Sequence, residues 1–113
     1  ASVSDKWVKV AGFAGKYVAI TNATFTLARD THIYGLQRTT AMTLTAPAAS
    51  TVPAGFFWIL KDEVTSRTGA SNNITITSSS PVQQTFDGDA SYVLTGTMPA
   101  ISLYSNGTNW FVF

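Results

Sequence analysis

The last stretch of the chain, AISLYSNGTNWFVF at residues 100–113, decides how the rest is read. Two short runs rich in aromatic and β-branched residues flank Asn106-Gly107. Asn-Gly readily takes the positive φ angles of a tight hairpin turn, so the two runs are expected to pair as antiparallel strands. Successive side chains of a strand point to opposite faces, which puts Trp110 and Val112 on one side and Phe111 and Phe113 on the other. Both sides are apolar. FFWIL, residues 56–60, shows the same lack of alternation. A strand that is apolar on both faces has to be covered on both, whereas a two-layer domain covers only the inner face of each sheet. The second cover is either a loop of the chain itself or another subunit, because an exposed patch of this kind invites aggregation. We expect the subunit, with Phe56, Trp58, Trp110, Phe111 and Phe113 at its interface.

Outward from this hairpin the dominant period remains two. The chain has one Glu and four Lys, and no segment places apolar residues at helical spacing over three turns. Short β-branched and aromatic runs separated by Gly, Pro, Asn and Ser read as strands near residues 7–10, 16–20, 25–28, 32–36, 41–45, 56–62, 73–77, 84–87, 91–95, 100–105 and 109–113. Asp87-Gly88 lies between QTF and SYVLT and reads as a second tight turn. TAPAASTVPAG, residues 45–55, holds two prolines and reads as a connection rather than a helix, and SRTGASNN, residues 66–73, reads as a polar loop. The expected architecture is all-β: a single antiparallel β-sandwich, jelly roll or small barrel over residues 1–113, with a short N-terminal arm at about residues 1–6.

Composition narrows the function. In 113 residues only 12% are charged, about half the usual share. Zero Cys excludes disulfide frameworks, thiol catalysis and Cys-ligated zinc. A net charge of +1 leaves no electrostatic footprint for nucleic acid. No apolar run approaches the roughly 20 residues of a membrane helix, and ASVSDKWVKV lacks the layout of a signal peptide. Residues 1–67 hold all seven cations and four acids, whereas residues 68–113 hold only Asp87 and Asp89. The second half therefore has little charge to solvate its surface, which fits packing between subunits.

No constellation of residues carries catalysis. The single His32 lies two residues from Asp30 with no G-x-S-x-G elbow anywhere, so it reads as a strand histidine. Asp87-Gly88-Asp89 lacks the further oxygen ligands of a calcium loop and reads as a turn. Asp62 and Glu63 are neighbours on a strand and point apart, so they cannot form a glycosidase pair. Phosphate-cradling motifs are absent, and no cofactor or metal is expected. Trp7, Trp58, Trp110, Tyr17, Tyr34, Tyr92 and Tyr104 offer ring faces that would suit sugar stacking, although such rings more often fill cores and interfaces.

FFWILKDEV, NNITITSS, TFDGDASYVL and AISLYSNGTNWFVF, in that order over residues 53–113, resemble a β module of bacteriophage tail fibre and tailspike proteins. In that module a strand ending in Lys-Asp precedes an N-x-I-T-I strand, an Asp-Gly turn and a terminal pair built around S-[ND]-G-T-N-W. The resemblance implies a small, non-enzymatic antiparallel β-sandwich on a virion surface, a homotrimer made in the host cytoplasm, in which Asn106, Gly107 and Trp110 are turn and packing positions. A fibre needs an attachment region and a shaft; taking the 113 residues as the whole mature product, neither is expected here. The expectation is therefore a free-standing trimer that decorates and cements the phage capsid, binding the major capsid protein through its cationic first half, at Lys6, Trp7, Lys9 and Lys16. The alternative is the tip of a tail fibre or tailspike that binds a host-surface polysaccharide. A third reading is a carbohydrate-binding module.

Overall fold

The computed structural model of the chain describes residues 16–64, 73–79 and 85–113. The expected arm at residues 1–6, the strand at 7–10 and most of the polar loop at 66–73 lie outside the described residues. Among the described residues nine strands form where the β-branched and aromatic runs fall: β1 (Tyr17–Ile20), β2 (Thr24–Thr26), β3 (Ile33–Leu36), β4 (Met42–Ala46), β5 (Phe57–Asp62), β6 (Ile74–Ser78), β7 (Ser91–Leu94), β8 (Ala100–Ser105) and β9 (Trp110–Val112). The Ala- and Pro-rich connection before β5 contains one short 3-10 turn, Ala49–Thr51. Of the run expected at 84–87, residues 85–87 are described and form no named strand; Phe86 makes isolated bridges to Asp89 and Trp110.

The strands build two facing sheets. One has five strands in the order β1-β3-β5-β8-β9, the other four in the order β2-β4-β6-β7. The expected sandwich is therefore present, but it does not close into a barrel. The expected all-antiparallel pairing needs correction. β1, β3 and β5 run parallel, as do β2, β4 and β6. Only β5-β8, β8-β9 and β6-β7 are antiparallel. From β1 to β6 each connection carries the chain across to the opposite sheet instead of back along the same one. Neighbours within a sheet therefore point the same way, and the strand of the other sheet does the work of the crossover that parallel pairing requires. The antiparallel pairs lie in the second half, where Asp-Gly and Asn-Gly punctuate the sequence.

The two named turns differ. Asp87 and Gly88 both have positive φ, 50° and 92°. Phe86 and Asp89 exchange backbone hydrogen bonds at 2.7 and 2.9 Å. This is the two-residue turn expected there. In the last hairpin only Gly107 has positive φ, 94°. Ser105 pairs with Trp110, so the loop has four residues rather than two. Asn106 acts through its side chain: Oδ1 accepts from the backbone N–H groups of Thr108 (2.9 Å) and Asn109 (2.8 Å), a local mimic of a turn.

Between the sheets lies one core. Trp58 and Trp110 are completely buried and pack at 4.7 Å between ring centroids, and Tyr34, Leu60, Leu103 and Phe86 are buried in the same core. The Trp58 indole N–H donates to the carbonyl of Ala28 at 3.0 Å, and Tyr34 Oη accepts from the Ala28 N–H at 2.7 Å. Leu44, Ile74 and Ile76 face them from the four-stranded sheet. Burying rings and branched chains on this scale contributes about 1.5–3 kcal/mol per side chain.

Candidate functional site: an aromatic outer face

Because Trp58, Leu60, Leu103 and Trp110 point inward, the alternate residues of β5, β8 and β9 must point out. Strand register turns them into rows. Phe57 pairs with Tyr104, and Tyr104 with Phe111. Tyr17, Ile33, Ile59 and Ser102 form the next row, which Phe113 extends by donating its N–H to the Ser102 carbonyl at 3.0 Å. Tyr104 stacks on Phe111 with centroids 5.5 Å apart and meets Phe113 at 5.6 Å. Tyr17, Phe57, Tyr104 and Phe113 are exposed by 49, 39, 36 and 66%. Large rings gathered on the outer face of a sheet are unusual on a solvated surface.

Beside this ridge lies a groove of about 570 Å³, lined by His32, Ile33, Pro53, Gly55, Phe56, Phe57 and Ile59. The His32 ring stacks on Phe56 at 4.9 Å and approaches Phe57 at 5.2 Å. Its Nδ1 lies 3.1 Å from the Phe57 carbonyl oxygen. A carbonyl only accepts, so Nδ1 carries the proton in this contact.

Among the described residues, Lys61, Lys16, Asp30 and Glu63 are each engaged within the chain. Lys61 donates to the Met98 carbonyl, and Lys16 pairs with Asp30 at 3.0 Å. Hydrogen bonding from Lys16 holds the Asp30 carboxyl below the usual range. Glu63 Oε1 accepts from Tyr17 Oη–H at 2.7 Å and from Gln37 Nε2 at 3.0 Å. These bonds hold the Glu63 carboxyl below its usual range, the Gln37 bond most strongly, and the bond to Glu63 raises the Tyr17 phenol. The clasp lies over Gly35: a Cβ there would sit 2.1 Å from Glu63 Oε1 and 2.3 Å from Tyr17 Oη.

The structure divides the expected interface residues. Phe111 and Phe113 are on the outer face and Phe56 lines the groove, but Trp58 and Trp110 are core residues, both at 0% exposure. Burial likewise removes Trp58, Trp110 and Tyr34 from any sugar-stacking surface. Phe57, Tyr104, Ile33 and Ile59 complete the face. Phe57 and Ile59 are the other alternation of FFWIL, opposite Phe56, Trp58 and Leu60; Tyr104 lies in ISLYS opposite Leu103 and Ser105, and Ile33 lies beside His32 in HIYGL. Of the expected capsid-facing residues, Lys16 is exposed and ion-paired, while Lys6, Trp7 and Lys9 lie outside the described residues. Asp62 is buried and Glu63 exposed, as their opposite directions require. Among the described residues no group of three His, Cys, Asp or Glu side chains could hold a metal ion, and no helix is long and apolar enough to cross a membrane. No family model and no curated protein matches the chain.

Proposed function

We propose that the chain is a non-enzymatic structural module of a bacteriophage particle. It associates as a homotrimer through the aromatic outer face of the five-stranded sheet and decorates the capsid as a cement protein. The observation that carries this reading is the row Phe57–Tyr104–Phe111, with Phe113 beside it, on the outside of a sheet whose inside is already filled. Rings placed there gain from being covered, at roughly 25 cal/mol per Å² removed from water. The phage assignment rests on the resemblance over residues 53–113, and trimeric cementing follows from the fit between three equivalent copies and the three-fold positions of a shell. A protein that binds only the assembled shell shifts the equilibrium towards assembly.

The opposite outer face favours a second reading, a fibre tip that meets a host-surface polysaccharide. Thr24, Thr43 and Thr75 form one cross-strand row and Thr26, Thr45, Thr77 and Ser91 another, a hydroxyl-rich surface with no charge among them. Heating phage particles with and without the protein tests the first reading. A higher shell-rupture temperature with the protein supports it, and equal temperatures overturn it. Binding of the intact assembly to purified host polysaccharide, with no effect on the shell, would establish the second.

A further inference from the structure

The outer face of the five-stranded sheet is not uniform. A ridge of rings, Tyr104, Phe111 and Phe113, stands over β8 and β9, and the groove lies over β3 and β5. Both are apolar, and both belong to one chain. We infer that the ridge of one copy seats in the groove of a second copy, so that Tyr104 and Phe113 enter between His32, Ile33 and Phe57 of the neighbour. This inference rests on the self-association proposed above and specifies how it is built.

Three observations favour a second copy as the occupant. The first is area. At roughly 200 Å² per aromatic side chain, the exposures of Tyr17, Phe57, Tyr104 and Phe113 leave about 400 Å² of ring surface open. A stable interface needs about 800 Å² from each partner, and the rings alone supply about half of it. The second is charge. Lys61, Glu63, Lys16 and Asp30 are held by partners within the chain, so the face asks for an uncharged partner, and the same face of another copy is one. The third is shape. A ridge and a groove side by side, their middles two strand spacings or about 10 Å apart, are complementary between copies but cannot meet within one.

In a closed ring of three, each copy gives its ridge to one neighbour and receives the ridge of the other. Contact between unlike patches is what allows such a ring to close.

The absence of cysteine in the sequence makes disulfide trapping a clean test. Ile33 and Phe113 lie on strands separated by three spacings, about 14 Å within one chain, too far for an intramolecular bridge. In the double variant Ile33→Cys/Phe113→Cys, mild oxidation is expected to give covalent trimers, with at least ten-fold more intermolecular product than either single variant. The pair Ile33→Cys/Tyr104→Cys keeps the Phe113 ring and is expected to give the same pattern, in case loss of that ring weakens assembly. Covalent dimers alone would replace the ring of three with a two-fold pair while keeping ridge in groove. Two results overturn the inference itself: Phe113→Cys alone bridging as efficiently as the double variants, which puts ridge on ridge, or no bridging by either pair although sedimentation shows an intact trimer. A wild-type chain that sediments as a monomer overturns the self-association reading, and the inference with it.

Discussion

The two outer faces of the sandwich obey the same pleat and carry opposite chemistry. Each sheet turns apolar side chains inward. On the four-stranded sheet the alternate positions are Thr24, Thr26, Thr43, Thr45, Thr75, Thr77, Ser91 and Val93. On the five-stranded sheet they include Tyr17, Ile33, Phe57, Ile59, Tyr104 and Phe111. The threonine face satisfies itself: β-branched side chains suit the extended backbone, and their hydroxyls meet water. The aromatic face does not. Identical backbone geometry thus leaves one side finished in the monomer and the other waiting for a cover.

Substitutions can break or sharpen this contrast. The largest effect belongs beneath both faces. Trp110→Ala is expected to cost about 3–5 kcal/mol in denaturant unfolding, because the ring is fully buried against Trp58. A cost below 1 kcal/mol would mean that Trp110 is not core.

Next come the faces themselves. Phe111→Asp and Phe113→Asp are expected to dissociate the assembly while an isolated subunit stays folded, since each puts an unpaired charge into a dry contact. Thr43→Asp and Thr75→Asp place the same charge on the other face and are expected to leave sedimentation unchanged. Equal dissociation by both sets would erase the distinction between the faces.

Smaller effects test the turns. Gly88→Ala, at φ 92°, is expected to cost about 1–2 kcal/mol. Asn106→Ala removes the acceptor for two backbone N–H groups and is expected to cost about 1 kcal/mol. Thermal melts of both against wild type provide the check.

The smallest effect is in pH. Glu63 is held below its usual range, so its contribution is present above the ordinary carboxylate range and is lost as pH falls through its folded pKa. Tyr17 is raised, so its contribution is present below the ordinary phenol range and is lost as pH rises through its folded pKa. Between those limits the clasp over Gly35 is intact. Acidification should lower the melting temperature of wild type more than that of Glu63→Gln. Parallel pH curves would show that the clasp contributes nothing.

Much of this was legible in the sequence, because β propensity and punctuation are local. The runs that become β1 to β9 can be read from their own composition, and Asp87-Gly88 announces its turn. Pairing is not local. Whether β1 lies beside β2 or beside β3 depends on where the short connection at residues 21–23 carries the chain, and no residue in it encodes a crossover. The parallel half was hidden for this reason. A period of two also shows which residues share a face without showing which face is inside. In FFWIL and NWFVF both sets are apolar, so Trp58 and Trp110 were assigned to the interface along with Phe111 and Phe113. Only the position of the opposite sheet separates them, and it takes the tryptophans. The groove joins Pro53 and Gly55 of the connection to His32 of another strand, a juxtaposition without a sequence signature.

The central claim is that the aromatic face is covered by copies of the same chain. Sedimentation velocity of the wild-type protein at submicromolar concentration tests it most directly. A single species of three chains, converted to folded monomer by Phe113→Asp, is the expected result. A wild-type protein that runs as a soluble monomer at every concentration would contradict it.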